Sequence, residues 1–322
     1  MTTLTYNKKN PSQALVIAAF AALYIIWGST YLAILIAIKS IPPFLMAGAR
    51  FLTAGLILYS WCRFRGEHTP NLQSIRHISF SGILLLFAGN TGLVFAEQYL
   101  PTGLAAIMVA ATPLWFVILD KRQWKFYFSN RKILLGLLIG FAGIVSLFAG
   151  KDNINIGADK MKLISFFVLF FGSICWATGT LYAKYQPSGG STGMKAAIQM
   201  LTAGILSVIT GIGSGELQQF HWAGISYQSL LALLYLITFG SLIGYLSFVW
   251  LMSVRPPALV GTYAYVNPVV AVFLGWLILH EPITWHQVLA LLIILAGVII
   301  VNFSKETIIK KDNAKTAAPT AR

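Results

Sequence analysis

Charge is what this sequence has least of. Only 10% of its 322 residues are charged, and only 9 are acidic. A soluble domain carries about 25% charged residues, so a water-facing globular surface is excluded. Cysteine is nearly absent too. Cys62 and Cys175 are the two present, which leaves no disulfide framework and no metal-ligand spacing. The five histidines, His68, His77, His221, His280 and His286, fall in connections or at the ends of apolar runs. HExxH, GxSxG and P-loop patterns are missing. A membrane-embedded enzyme would want His, Asp or Glu clustered at mid-depth, so that class is disfavoured, and neither cofactor nor metal is expected. Long polar stretches are also lacking. The longest connections, near 63–77, 120–132, 151–162 and 215–228, are too short for a soluble domain.

What is abundant is hydrophobicity, at 57% of residues. A membrane span needs about 20 apolar residues, because each residue of a helix rises about 1.5 Å and the hydrocarbon is about 30 Å thick. The apolar runs predict ten spans: 15–38, 43–62, 78–97, 101–119 and 133–150, then 163–183, 196–214, 229–251, 257–279 and 286–304. The expected fold is therefore an all-α membrane protein embedded in a lipid bilayer. Its first run follows Lys8 and Lys9 as a signal peptide would, but it is too long for a signal core.

The ten spans are two copies of five. Leu52-Thr-Ala-Gly55 recurs as Leu201-Thr-Ala-Gly204, and Trp27 and Trp176 share that offset of 149 residues. Further on the offset drifts to 154–155: Pro101 matches Pro256, Leu104 matches Leu259, Pro113 matches Pro268, Gly89 matches Gly244, and Ala142-Gly143 matches Ala296-Gly297. A repeat of this length marks a duplicated unit. The expected layout is an N-terminal segment 1–14, a repeat 15–150, a linker 151–162, a second repeat 163–304 and a basic tail 305–322. Five is odd, so the second copy must enter the membrane with inverted topology. Inverted repeats of this kind point to a transporter, with its site at the repeat interface near the midplane.

The net charge of +14 suggests nucleic acid until its distribution is read. With both termini cytoplasmic, the inner side holds 18 of the Lys and Arg residues, including the cluster Lys121, Arg122, Lys125, Arg131 and Lys132. The outer side holds 4: Lys39, Lys151, Lys160 and Lys162. This is the positive-inside bias of a multi-pass protein facing an anionic inner leaflet, not a nucleic-acid surface. The repeat copies Gly, Pro and apolar positions but not charges: Arg50 aligns with Gln199 and Glu97 with Met252. Inversion explains this, since equivalent helix ends lie on opposite sides.

Small residues let membrane helices approach closely. Gly136-Leu-Leu-Ile-Gly140 and Gly240-Ser-Leu-Ile-Gly244 have GxxxG spacing, which serves packing within one chain or a homodimer. Pro113 and Pro268 sit mid-span and deprive the carbonyls of Val109 and Ala264 of helical donors. Each is read as a helix hinge whose freed backbone lines a cavity, or as a static kink satisfied locally.

Several of these segments together resemble the drug/metabolite transporter superfamily, specifically its EamA-type ten-helix exporters. The first span carries Tyr24-Ile-Ile-Trp-Gly-Ser-Thr-Tyr31, like that family's opening Trp-Gly motif. The fourth reads Pro101-Thr-Gly-Leu-Ala-Ala and Ala111-Thr-Pro-Leu114. The ninth reads Pro257-Ala-Leu-Val-Gly-Thr-Tyr-Ala-Tyr-Val-Asn-Pro-Val-Val270, then His280-Glu-Pro282. The tenth, from Ala290 to Asn302, is similar to the last helix of small multidrug-resistance proteins. The resemblance spans about residues 15–304. It implies secondary active export of a small metabolite, amino acid or drug across a bacterial inner membrane, by alternating access and without ATP. It names no cargo.

The residues expected to contact a small-molecule substrate are Trp27, Thr30, Asn90, Trp176, Tyr245, Tyr263 and Asn267. The two tryptophans are repeat mates and lie mid-span, away from the interfacial belt, as packing residues or as an aromatic wall. The amides orient a polar group of cargo or bond to a neighbouring helix. Arg50 lies inside a span, about 10 Å from its outer end. With Glu97 on the same side it is expected to form an outer-gate ion pair, to meet a substrate carboxylate, or to snorkel. The small multidrug-resistance relatives use a glutamate in their first helix. The stretch Ala14–Ile38 has no acid here, so that coupling device does not carry over, and Glu97 and Glu281 are the remaining proton-site candidates. A channel would need a continuous polar ring, which these scattered residues do not supply. A coupled carrier is reversible, so the residues leave import open beside export.

Overall fold

The computed structural model describes residues 12–100, 105, 108–148, 159–279 and 284–316. No strand occurs among them; every regular element is helical. In chain order the main helices are α1 (Gln13–Ala37), α2 (Pro43–Phe64), α3 (Leu72–Ala96), α4 (Met108–Leu119) and α5 (Arg131–Phe148), then α6 (Lys160–Tyr185), α7 (Thr192–Gly213), α8 (Tyr227–Val254), α9 (Tyr263–Leu279) and α10 (Trp285–Thr316). Short side chains set several starts by accepting otherwise unpaired N–H groups: Asn71 Oδ1 takes Ser74 N–H at 2.9 Å and Ser191 Oγ takes Met194 N–H at 3.1 Å. Asn71 is why α3 starts before the predicted 78. Its polar first turns carry no apolar run.

Among the described residues seven helical stretches are long and apolar enough to cross a membrane: α1, α2, α3, α6, α7, α8 and Pro257–Leu274. A bent pair, Lys121–Ser129 with α5, meets at 95° and makes up to eight. The apolar stretches Met108–Leu119 and Trp285–Val301 fall in the 10–17-residue class. Ten spans were expected, so the count stands at seven or eight. Part of the fourth predicted span, including Pro101, lies outside the described residues. So do most of the 151–162 linker and the His280-Glu281-Pro282 motif. The last helix does not stop at 304 but continues to Thr316, through Lys and Glu residues that favour helix.

The repeats pack as inverted halves. Gly48 of α2 faces Val208 of α7, Gly55 faces Leu201, and Gly204 faces Leu52. As numbering rises along one helix it falls along the other, so these two repeat-equivalent helices run antiparallel. The duplicated tetrapeptides are the crossing itself. The fifth helices of each half repeat the pattern: Gly136 lies against Val301 and Gly297, Gly140 against Gly297, and Gly143 against Ile294. A methyl on Gly297 would fall 2.5 Å from the Gly140 nitrogen. Both GxxxG motifs are used inside the chain, since Gly240 and Gly244 face Arg50, Thr30 and Trp27.

Candidate functional site

Two π-helical segments occupy equivalent places, Ile83–Thr91 within α3 and Leu236–Tyr245 within α8. Such widened turns re-aim side chains and recur at functional sites. Each carries a repeat-matched glycine covered by the tryptophan of the opposite half. Trp27 packs on Gly244, and Trp176 packs on Gly89. Trp27 also donates from Nε1 to the Gly240 carbonyl at 3.1 Å.

These contacts bound a cavity of about 70 Å³ between the repeats. All seven expected residues line it: Trp27 and Thr30 from α1, Asn90 from α3, Trp176 from α6, Tyr245 from α8, and Tyr263 and Asn267 from α9. The rings form one cluster. Trp27 lies 5.7 Å from Trp176, 4.9 Å from Tyr263 and 5.2 Å from Phe248, centroid to centroid. Edge-on contacts dominate, as the ring quadrupoles favour.

The polar groups fall into two sets. Some are already satisfied: Thr30 Oγ1 donates to the Trp27 carbonyl at 2.7 Å, and the Tyr245 hydroxyl donates to Gln199 Oε1 at 2.8 Å. Others are not. Among the described residues, Asn90 Oδ1 and Asn267 Oδ1 are buried and accept no hydrogen bond. A buried polar atom without a partner is costly and is rare in folded proteins, which sets these atoms apart from the satisfied ones around them.

Arg50 reaches the cavity from α2 and is 4% exposed, so it does not snorkel to the surface. Its Nε donates to Ser241 Oγ at 2.9 Å. Glu97 does not line the cavity, and neither of its buried carboxylate oxygens accepts a hydrogen bond among the described residues. The expected Arg50–Glu97 ion pair is therefore not formed in this structure. Arg50 is held instead by a hydroxyl of the opposite repeat.

The two prolines differ. Pro113 follows a break at Ala111 and occupies the first turn of the helix Thr112–Leu119, where its missing N–H costs nothing. The Val109 carbonyl is taken by Thr112 Oγ1 at 2.6 Å, so this kink is satisfied locally. Pro268 sits inside α9, one residue beyond the unpartnered Asn267.

The EamA-like transporter family matches residues 14–149 and 163–303, one match on each repeat. The chain belongs to this family. It is a transporter of the drug/metabolite type, and the double match is the duplication seen in the sequence. The uncharacterized inner membrane transporter YedA of Escherichia coli K12 is 38% identical over 291 residues, covering 89% of this chain and 90% of YedA. The uncharacterized transporter YvbV of Bacillus subtilis is 26% identical over 285 residues, covering 88% and 90%. A solved crystal structure matches with a TM-score of 0.70 at 18% identity, covering 90% of this chain and 98% of that one, which speaks to fold alone. Relatives named as transporters fit a non-enzyme.

Sequence reasoning missed part of this family member's cavity wall. Tyr31, Phe51 and Ser173 line it. Tyr31 was within reach, four residues from Trp27 and hence on the same helix face. Ser173, which accepts the Trp115 indole N–H at 3.1 Å, carried no signal. Nor did a second polar cluster at the opposite helix ends. There buried Asp120 accepts from the Tyr185 hydroxyl at 2.8 Å and from the Tyr127 hydroxyl at 3.2 Å.

Proposed function

We propose that this protein exports a small organic molecule across the bacterial inner membrane by alternating access, with the inter-repeat cavity as the site that alternates. The observation that carries the reading is the convergence of residues from both inverted halves on one cavity with unpartnered amide oxygens. Inverted repeats that rock about a central site are how such carriers work. Relatives include YedA, named as an inner membrane transporter, and the 18-to-4 charge bias supports cytoplasmic termini.

In that orientation the cavity occupies the outer half of the membrane. It extends along α1 from Trp27 to Ile34 and along α6 from Trp176 back to Leu169. The Asp120–Tyr185 cluster closes the cytoplasmic end. Cargo would leave from this state. Seven of the lining residues, Trp27, Thr30, Asn90, Trp176, Tyr245, Tyr263 and Asn267, would contact it.

The test compares metabolites in the medium of cells that overexpress or lack the protein. It is followed by uptake of the enriched compound into inverted membrane vesicles, with and without a proton gradient. Uptake by inverted vesicles supports export. Accumulation only in right-side-out vesicles overturns it and makes the protein an importer.

A further inference from the structure

The cavity contains a guanidinium and no carboxylate: among its described lining residues there is one cation, Arg50, and no Asp or Glu. We propose that it selects small organic anions, with Arg50 gripping the anionic head and the aromatic walls holding an apolar body. This rests on the reading of the cavity as the transport site.

Arg50 stays charged at any working pH and offers five N–H donors in a planar fork. Its one hydrogen-bond partner among the described residues is the neutral Ser241 hydroxyl. A neutral hydroxyl does not offset the desolvation of a buried cation, so an anion brought beside it gains what the protein leaves unmet. The fork matches carboxylate and phosphate oxygens two at a time. Gly240 leaves the room in which the guanidinium lies at the cavity: a methyl there would fall 3.0 Å from Nη2. The rival internal counterion, Glu97, does not line the cavity and accepts no hydrogen bond among the described residues.

The remaining walls fit the rest of such a molecule. Trp27, Trp176 and Tyr263 supply ring faces, while Asn90 Oδ1 and Asn267 Oδ1 wait for an N–H or O–H donor. Aromatic walls alone would suit a lipophilic cation. The guanidinium in the same cavity repels one, so charge sign becomes the discriminating property.

The experiment uses the full-length protein in detergent and two shape-matched trios that differ in charge: 3-phenylpropionate, its amide and 3-phenylpropylamine; indole-3-acetate, its amide and tryptamine. 2-Phenylethylphosphonate separates carboxylate from phosphate-type heads. Binding is read as thermal stabilisation, which only a ligand of the folded state produces. The anion of at least one trio is expected to bind at least tenfold more tightly than its amide, with the amine weakest. Arg50→Gln, which copies Gln199 of the other repeat, is expected to erase the tenfold preference, and Arg50→Lys to keep part of it. An amide or amine binding as well as the anion in both trios overturns the proposal, and so does undiminished anion binding by Arg50→Gln. If Arg50→Gln does not fold, Arg50→Lys and the wild-type charge series decide. Counterflow in proteoliposomes separates the two readings. Arg50-independent flux of an amine leaves a carrier without an anion site, whereas anion binding without flux of any probe removes the carrier reading and keeps the site.

Discussion

The indole of Trp27 fills the space that a side chain at Gly244 would need: a methyl placed there falls 2.6 Å from Nε1 and 2.8 Å from Cδ1. The mirror contact is looser, with a methyl on Gly89 falling 3.0 Å from Cε3 of Trp176. Overpacking of this kind costs about 1–3 kcal/mol. Gly244→Ala should therefore destabilise the protein by that order, and Gly89→Ala by less. In thermal unfolding in detergent, Gly244→Ala combined with Trp27→Phe should cost less than the two single changes added together, by at least about 1 kcal/mol. Strict additivity would show that the indole can move aside at no cost.

The duplicated tetrapeptides give a second asymmetric pair. A methyl on Gly204 meets the backbone nitrogen of Leu52 at 2.7 Å, whereas one on Gly55 meets Leu201 Cγ at 2.9 Å and the Leu201 backbone nitrogen only at 3.0 Å. Backbone cannot swing away as a leucine can. Gly204→Ala should lower stability more than Gly55→Ala, by about 1 kcal/mol within the usual overpacking range. Equal losses in denaturant titrations would refute the distinction between backbone and side-chain contact.

Arg50 and Glu97 are both buried, yet their hydrogen bonds do not join them. Residues more than about 7–10 Å apart and without a shared partner change stability additively to within about 0.3–0.5 kcal/mol. A double-mutant cycle with Arg50→Gln and Glu97→Gln should thus give a coupling below about 0.5 kcal/mol in the unliganded protein. A coupling of several times that size would mean that the outer ion pair forms after all and that this structure shows its open state.

Glu216 joins the loop after α7 to the start of α2, where Leu45 N–H donates to it at 2.9 Å and Phe44 N–H at 3.2 Å. Burial pushes its carboxyl above the ordinary value, and these two donors pull only part of the way back. A carboxyl that is raised in the folded state binds protons more readily there than in the unfolded chain. Its contribution to stability is therefore greatest in acid and falls as pH rises through its titration range. Melting temperatures of the wild type and Glu216→Gln across pH 4 to 7, a window spanning the ordinary glutamate value of about 4.3, should show the wild type losing more stability toward neutral pH. Parallel curves would rule this out.

The fold was legible where physics is repetitive, and the site where symmetry marked it. Apolar length placed most helices, and the Leu52–Gly55 and Leu201–Gly204 copies located the inter-repeat crossing before any contact was visible. Trp27 and Trp176 stood out because a mid-span tryptophan with a repeat mate has no interfacial explanation. The partner of Arg50 was not legible. Two opposite charges on one side of a membrane suggest a pair, but which rotamer wins depends on the Ser241 hydroxyl, the gap at Gly240 and the π-helical turn that presents them. The surroundings of the prolines were not legible for a related reason. Equivalent positions in the repeat suggested equivalent hinges, yet Thr112 closes one with its own hydroxyl, and at the matching position Asn267 has its Oδ1 left bare.

Asp120 links the two repeats at the helix ends away from the cavity. It belongs to the first repeat and is 1% exposed. It accepts from Tyr185 of the second repeat at 2.8 Å and from Tyr127 of its own at 3.2 Å. The Arg122 guanidinium covers the Tyr185 ring at 4.6 Å. A hydrogen bond to a charged group contributes about 1.5–3 kcal/mol, and here it spans the two repeats. Tyr185→Phe removes it with little change of shape. If the link holds the cytoplasmic end shut, Tyr185→Phe should also expose the buried interior of α6. In a Cys62→Ser, Cys175→Ser background, a cysteine introduced by Leu181→Cys, at a buried position, should react with a maleimide several-fold faster once Tyr185→Phe is added. A stability loss without faster labelling would make the bond a fastening of the fold and not a gate.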